Sequence, residues 1–338
     1  MTIPAAKDRR PRAYPAPEFP PRKPKLFART PPAIFPSILG LFGLGLAARK
    51  AVAVLGLSDS LAGGLVEAAL GALMILWLFA VIALKAKVLR RFAVLSEDMR
   101  VLPGRAGLAT ASMTGMTAAM VLVPYWPGLA LFLALASLVA HLIMAVILIA
   151  TLGTMPAEAR AVNPSWHLSF VGFIVAALPL ASLGYTGLAT AVFWFSAVMA
   201  GGIWAVSLWQ LLRLVPPAPL RPLLAIHLAP AALLSLAAAG IGQGQLSLGF
   251  AVLAVVIFLA LLSAGRWITA SGFSPLWGSF TFPLASCANA LLTQGGTWEL
   301  PGLVVLVLAM AAIPAIAWNV LKLWPGNRLA TKTNAAEA

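Results

Sequence analysis

The sequence predicts an all-α integral membrane protein of ten transmembrane helices paired into five hairpins. Three observations carry this. Of 338 residues, 61% are hydrophobic and only 9% are charged, which lies outside the range of water-soluble domains. Lys, Arg, Asp and Glu are absent from Ala106 to Ala157, from Ala161 to Leu212, from Pro222 to Gly265 and from Trp267 to Trp298. The basic residues gather in short segments between and before these stretches. A bilayer core about 30 Å thick takes about 20 apolar residues as a helix, so the three longer stretches each hold two spans. In lipid, backbone polar groups must be satisfied within the segment, which requires helices here.

In chain order, the spans are predicted at Phe35–Leu57, Leu61–Leu84, Ala106–Val123, Gly128–Leu152 and His167–Gly184, then at Thr186–Leu212, Leu223–Ile241, Leu246–Trp267, Leu276–Gln294 and Leu300–Leu323. Connectors after odd spans are tight and rich in turn formers, as at Ser58–Ser60, Pro124–Pro127 and Gly242–Gln245. Those after even spans are longer and basic. With both termini on one face, all of the 23 Lys and Arg except Arg49 and Lys50 fall on that face. The positive-inside rule then makes it the cytoplasmic one. The expected divisions are a disordered basic cytoplasmic tail over residues 1–33, a ten-helix domain over 34–324 and a cytoplasmic C-terminal tail over 325–338. The first 33 residues hold nine prolines and no apolar h-region, so no cleavable signal peptide is expected. That polybasic tail would touch anionic membrane lipids.

The net charge of +14 does not indicate nucleic acid, because the charge is sorted by side of the membrane and forms no stripe on a soluble fold. The single cysteine, Cys287, excludes an internal disulfide and reads as a small buried residue. His141, His167 and His227 lie on three spans without metal-ligand spacing, and no catalytic triad or phosphate loop is present. No enzyme, metal or cofactor is expected.

Prolines recur near the start of odd spans, at Pro36, Pro103, Pro164, Pro222 and Pro275, and inside them at Pro179, Pro230 and Pro283. Repeated kinks in alternate helices suggest an inner ring, although membrane helices tolerate proline generally. The third span carries Thr110, Ser112, Thr114 and Thr117, either to permit close packing or to line a wet, uncharged wall. Glu67 is the only acidic residue within a span. It is either favoured by the nearby helix N-terminus or a proton-coupling group, and mid-span His141 is either hydrogen-bonded to a neighbouring helix or likewise protonatable.

Three strings carry a family resemblance: Phe35-Pro36-Ser37-Ile38-Leu39-Gly40 and onward to Ala47, Asn163-Pro164-Ser165-Trp166 with Val171-Gly172 and Pro179, and Trp277-Gly278-Ser279-Phe280-Thr281-Phe282-Pro283-Leu284-Ala285. In this order they resemble the tellurite-resistance/dicarboxylate transporter family, which includes the plant slow anion channel. Ala48 and His167 depart from the family's pattern. The resemblance implies five hairpins in a quasi-fivefold ring around a central pore, homotrimers in the plasma (inner) membrane, and a phenylalanine before the ninth-helix proline that occludes the pore. That position is Phe282, with Pro283 as the kink beneath it. It also implies small anions as partners: C4-dicarboxylates, tellurite- or sulfite-type oxyanions, halide or nitrate. The expected activity is an anion channel or exporter, with proton-coupled dicarboxylate transport through Glu67 or His141 as the alternative.

Overall fold

The computed structural model describes residues 25–338, and among these every regular element is helical. The chain runs through α1 (Phe35–Val54), α2 (Leu61–Arg90), α3 (Val94–Arg100), α4 (Leu102–Leu122), α5 (Pro127–Gly153), α6 (Ile174–Ser182) and α7 (Thr186–Leu211). It continues through α8 (Leu228–Gly240), α9 (Gly244–Ser263), α10 (Gly265–Ile268), α11 (Gly278–Gln294), α12 (Glu299–Leu321) and α13 (Arg328–Lys332). Seven helical segments are long and apolar enough to cross a membrane, so this is a multi-pass helical membrane protein. α4, α11 and the His167–Ser182 segment fall outside that set, although each overlaps a predicted span.

The hairpin partners differ in burial, most of all α8 and α9. α8 buries every residue from Leu228 to Ser235, whereas its hairpin partner α9 buries only Ser247, Ala251 and Ala254. α4 is buried over most of its length, while α5 buries a stripe through Ala130, Ala134, Ser137, His141, Ala145 and Leu148. Alternating steps of three and four residues define one helical face, and small residues on it let backbones approach. The opposite faces of the second helices carry exposed Ile75, Ile82, Phe132, Val198, Val256 and Val307. In lipid such side chains carry no burial cost, because acyl chains are as apolar as they are.

Each inner helix packs on its hairpin partner: α1 on α2, α4 on α5, α6 on α7, α8 on α9 and α11 on α12. The inner five also touch in turn, α1 with α4, α4 with α6, α6 with α8, α8 with α11, and α11 with α1. α1 and α11 approach closely. A Cβ at Gly40 would stand 2.1 Å from Thr281 Oγ1, so no larger residue fits there without displacement.

Four of the inner five begin with a turn that is not α-helical. These are 3₁₀ segments at Pro32–Ile34, Ala218–His227 and Pro275–Trp277 and a π segment at His167–Val171. Pro222 lies inside Ala218–His227 and lacks the N–H that an α-turn would use there, whereas Pro32 and Pro275 open their segments, where no helical N–H is needed. The predicted spans at His167–Gly184 and Leu223–Ile241 therefore contain shorter α-helices than expected. Pro179 and Pro283 sit inside α6 and α11, and Pro283 leaves the Ser279 carbonyl without its helical donor.

The predicted N-terminal tail lies outside the described residues up to residue 24. From residue 25 onward it is packed, with Ala28, Thr30 and Ala33 buried. Lys87, wholly buried at the end of α2, donates to Asp98 Oδ2 at 2.7 Å and to the Thr30 carbonyl at 3.1 Å. The Ala336 N–H donates to Asp98 Oδ1 at 2.7 Å, and the Ala338 N–H donates to the Ala28 carbonyl at 3.0 Å. Burial raises the Asp98 carboxyl above its ordinary value, opposed by the Lys87 ammonium. Both described ends are thus clasped to α2 and α3. A C-terminal segment that looks like a free tail in sequence docks because Asp98 needs a second donor once it is buried.

Candidate functional site

Three small cavities lie between the inner helices, and the smallest, about 10 Å³, is walled by Met113 of α4, His167, Ile174 of α6 and Pro230 of α8. Of the other two, the first, about 50 Å³, is walled near the helix starts by Pro36 and Leu39 of α1, Ala106 and Thr110 of α4, Leu168, Ile226, Ala229 of α8, and Ser279 of α11. The second, about 20 Å³, lies further along the same helices. It is walled by Gly43 and Leu46 of α1, Thr117 and Met120 of α4, Val175 and Leu178 of α6, Leu233 and Leu236 of α8, and Ser286 and Asn289 of α11. One residue borders both, Phe282, and only 6% of its surface is exposed.

Local sequence explains why the ring sits there. A Cβ at Gly43 would lie 3.0 Å from Phe282 Cδ2, so the bare backbone of α1 is the seat for the ring. Thr281 Oγ1 donates to the Gly278 carbonyl at 2.8 Å and to the Pro36 carbonyl at 3.2 Å, fixing α11 on α1 one residue before the phenylalanine. Pro283 follows at once and also borders the first cavity. Ser279 Oγ donates to the Pro222 carbonyl at 2.6 Å and ties α11 to the segment before α8.

Neither cavity is bordered by a charged side chain. The polar groups are Thr110 and Ser279 in the first, and Thr117, Ser286 and Asn289 in the second. Thr110, Thr117 and Ser286 each donate to a carbonyl of their own helix, at 2.9, 2.9 and 3.0 Å. Asn289 was not singled out in the sequence, yet Phe282, Ser286 and Asn289 recur at helical spacing. That periodicity is the signal that would have found it.

The four hydroxyls of the third span separate. Thr110 and Thr117 border the cavities, whereas Ser112 Oγ lies 2.7 Å from His141 Nδ1 of α5, and Thr114 Oγ1 accepts from Trp77 Nε1 of α2 at 3.2 Å. His141 is fully buried, stacks edge-on against Phe173 at 4.5 Å, and its Nε2 has no partner. Glu67 is engaged by Arg49, whose Nε and Nη2 reach its two oxygens at 2.7 and 2.5 Å, and by the Tyr125 hydroxyl at 2.7 Å. That hydrogen bond to the carboxylate pushes the Tyr125 phenol above its usual pKa. The favourable partner of Glu67 is therefore a guanidinium on α1, beyond the helix N-terminus expected from the sequence. Neither Glu67 nor His141 borders either cavity.

Two histidines that are 60 residues apart in sequence come together. His167 Nε2 and His227 Nδ1 are 2.9 Å apart, both rings buried, with His167 Nδ1 and His227 Nε2 unpartnered. Sequence spacing could not show this pair. Among the described residues no group of three or more His, Cys, Asp and Glu forms a metal cluster.

An uncharged, narrow succession of cavities framed by the buried helices of a multi-pass bundle is the construction of a membrane channel or transporter. The chain belongs to the voltage-dependent anion channel family, whose model matches residues 29–323. This also supports the resemblance carried by the Phe35, Asn163 and Trp277 strings. The search of curated proteins finds no match.

Proposed function

We propose that this protein is a ten-span anion channel of the plasma (inner) membrane with both termini cytoplasmic. Its path runs through a quasi-fivefold ring of α1, α4, α6, α8 and α11 and is closed at Phe282. The observation that carries this reading is that, of the residues walling the 50 Å³ and 20 Å³ cavities, only Phe282 borders both, while the 10 Å³ cavity meets the first at Leu168, Ile226 and Ala229 and the second at Leu233. The contacts of the inner helices, each with the next and the last with the first, support the ring. An apolar ring in a narrow neutral conduit excludes ions by size and by dewetting. The Asn289 amide would then be the donor on offer, since the wall hydroxyls of Thr110, Thr117, Ser279 and Ser286 already donate to carbonyls, so a permeating anion would be held weakly and leave as readily as it enters. The basic residues of α2 and α3 would concentrate anions at one mouth, within a Debye length of about 8 Å.

The permeant class is small anions: C4-dicarboxylates, tellurite- or sulfite-type oxyanions, halide or nitrate. Assembly as a homotrimer rests on the family resemblance. Proton coupling through Glu67 or His141 draws no support from their positions, since one is held in an ion pair and neither borders the path.

Liposome flux with each anion's own gradient as the only driving force tests the proposal. Phe282→Ala should raise flux about tenfold or more, the effect of removing roughly 1.4 kcal/mol of barrier. Phe280→Ala, whose ring stacks against Trp277 at 5.7 Å, should leave flux near wild type. Equal flux through wild type and Phe282→Ala, with both properly assembled, would reject the gate.

A further inference from the structure

A larger cavity, of about 600 Å³, lies beside the first one and shares Leu223 with its wall, but it does not reach Phe282. It is enclosed by the start of α4, the 155–164 connector, the end of α7 and the 3₁₀ segment Ala218–His227. Its anchor is Arg105. This side chain is 4% exposed, its Nε donates to the Met99 carbonyl at 3.1 Å, and no carboxylate among the described residues forms an ion pair with it. Glu158 also borders the cavity but is exposed and pairs with neither Arg105 nor Arg100. A buried guanidinium without a counter-charge is costly and calls for an anion. Arg100 supplies a second positive charge, and two further buried groups on the wall, Ser207 Oγ and His227 Nε2, have no hydrogen-bond partner.

The rim identifies the carrier of that anion. Leu211, Leu214 and Val215 border the cavity, and the last two are 70% and 72% exposed. Next to Leu214 in the chain the Arg213 guanidinium stacks over the Trp209 ring at 4.4 Å, and next to the bordering Leu220 Arg221 stacks over Trp267 at 4.3 Å. Trp with Arg at helix ends marks the headgroup level of a bilayer, and Arg forks match phosphate oxygens in pairs. We propose that this cavity is a binding site for an anionic phospholipid, with its phosphate on Arg105 and Arg100 and an acyl chain leaving over Leu214 and Val215. A free phosphate would use the arginines alone, whereas a phospholipid also uses the apolar rim continuous with them. Occupancy has a route to the path: His227 borders the lipid site and is bonded to His167, which precedes Leu168 on the wall of the first cavity.

The test uses the full-length protein in neutral detergent, titrated with pyrene-labelled phosphatidylglycerol or with phosphatidylcholine of the same chains, and with inorganic phosphate as competitor. The readout is lipid binding, so it stands or falls separately from conduction. Phosphatidylglycerol should bind wild type about tenfold or more tighter than phosphatidylcholine, and millimolar phosphate should not displace it. Arg105→Gln should weaken that binding about tenfold or more, while Arg105→Lys, which keeps the charge but not the fork, should fall between Arg105→Gln and wild type. Val215→Glu, an exposed change that leaves the buried wall intact, should weaken it too and decides the matter if Arg105→Gln does not fold. Equal affinity for the two lipids, displacement by phosphate, or wild-type binding in Val215→Glu and any folded Arg105→Gln would overturn the site.

Discussion

The two members of each helical hairpin answer to different solvents. α8 and α9 are joined by a tight turn, with Gly242 at φ 77°, yet α8 buries an unbroken run from Leu228 while α9 buries three small residues. The outer helix is nearly uniform in hydrophobicity because lipid surrounds most of it, and only its small inward stripe carries packing information. The inner helix is shaped by neighbours on every side, so it can contain proline, hydroxyls and turns that are not α-helical. The difference teaches where substitution should be tolerated. Outer faces discriminate against charge, and inner faces discriminate against size.

The largest effect is expected where outer helix α2 departs from its class. Lys87 and Asp98 are 0% and 1% exposed, so Asp98→Ala leaves a buried ammonium unpaired at a cost of about 3–5 kcal/mol. Thermal unfolding in detergent should show that loss, and an unchanged transition would mean that the clasp contributes nothing. Next comes charge on an outer face. Leu142→Arg on α5, at a site 54% exposed, should cost about 2.5–3.5 kcal/mol of insertion energy and lower membrane yield. Normal yield would show that this face meets water or protein instead of lipid.

Size on inner against outer helices should follow. Gly40→Leu must displace Thr281 and should cost about 1–3 kcal/mol, whereas Gly71→Leu on α2 meets open space and should be close to neutral. Equal stability of the two variants would break the comparison. The smallest effect is expected at Ser112→Ala, which leaves His141 Nδ1 without its partner for about 1 kcal/mol and should leave anion flux unaltered. A large flux change there would move Ser112 from the packing side of α4 to the conducting side.

Hydrophobic run length and turn residues place a helix at each predicted segment, because in a membrane those signals answer directly to bilayer thickness. Interior proline is a partial guide to the buried set, since Pro179 and Pro283 lie inside α6 and α11 but Pro314 lies inside α12. Pairing across helices is another matter. Arg49 lies 18 residues from Glu67, and His167 lies 60 from His227. Nothing local records that they meet. The third-span hydroxyls show the same limit. Their spacing marks polar groups on one helix, but which point to the cavities and which to α2 or α5 depends on how α4 is rotated among its neighbours. The packing of residues 25–34 was hidden by a composition rich in proline and basic residues, because what holds it is a single buried pair on α2 and α3. Asn289 was legible in principle, four and seven residues along from Phe282 with Ser286, once that face had a meaning.

The central claim is that Phe282 separates two halves of one conduit, and accessibility tests this most directly. In a Cys287→Ala background, Asn289→Cys places a thiol in the second cavity, beyond the phenylalanine as seen from the first. A membrane-impermeant anionic methanethiosulfonate, applied only from the face on which α1 and α11 begin, should label this thiol slowly. Phe282→Ala in the same background should accelerate labelling about tenfold or more, in step with the barrier removed. Equal labelling rates with and without the Phe282 ring would contradict the account.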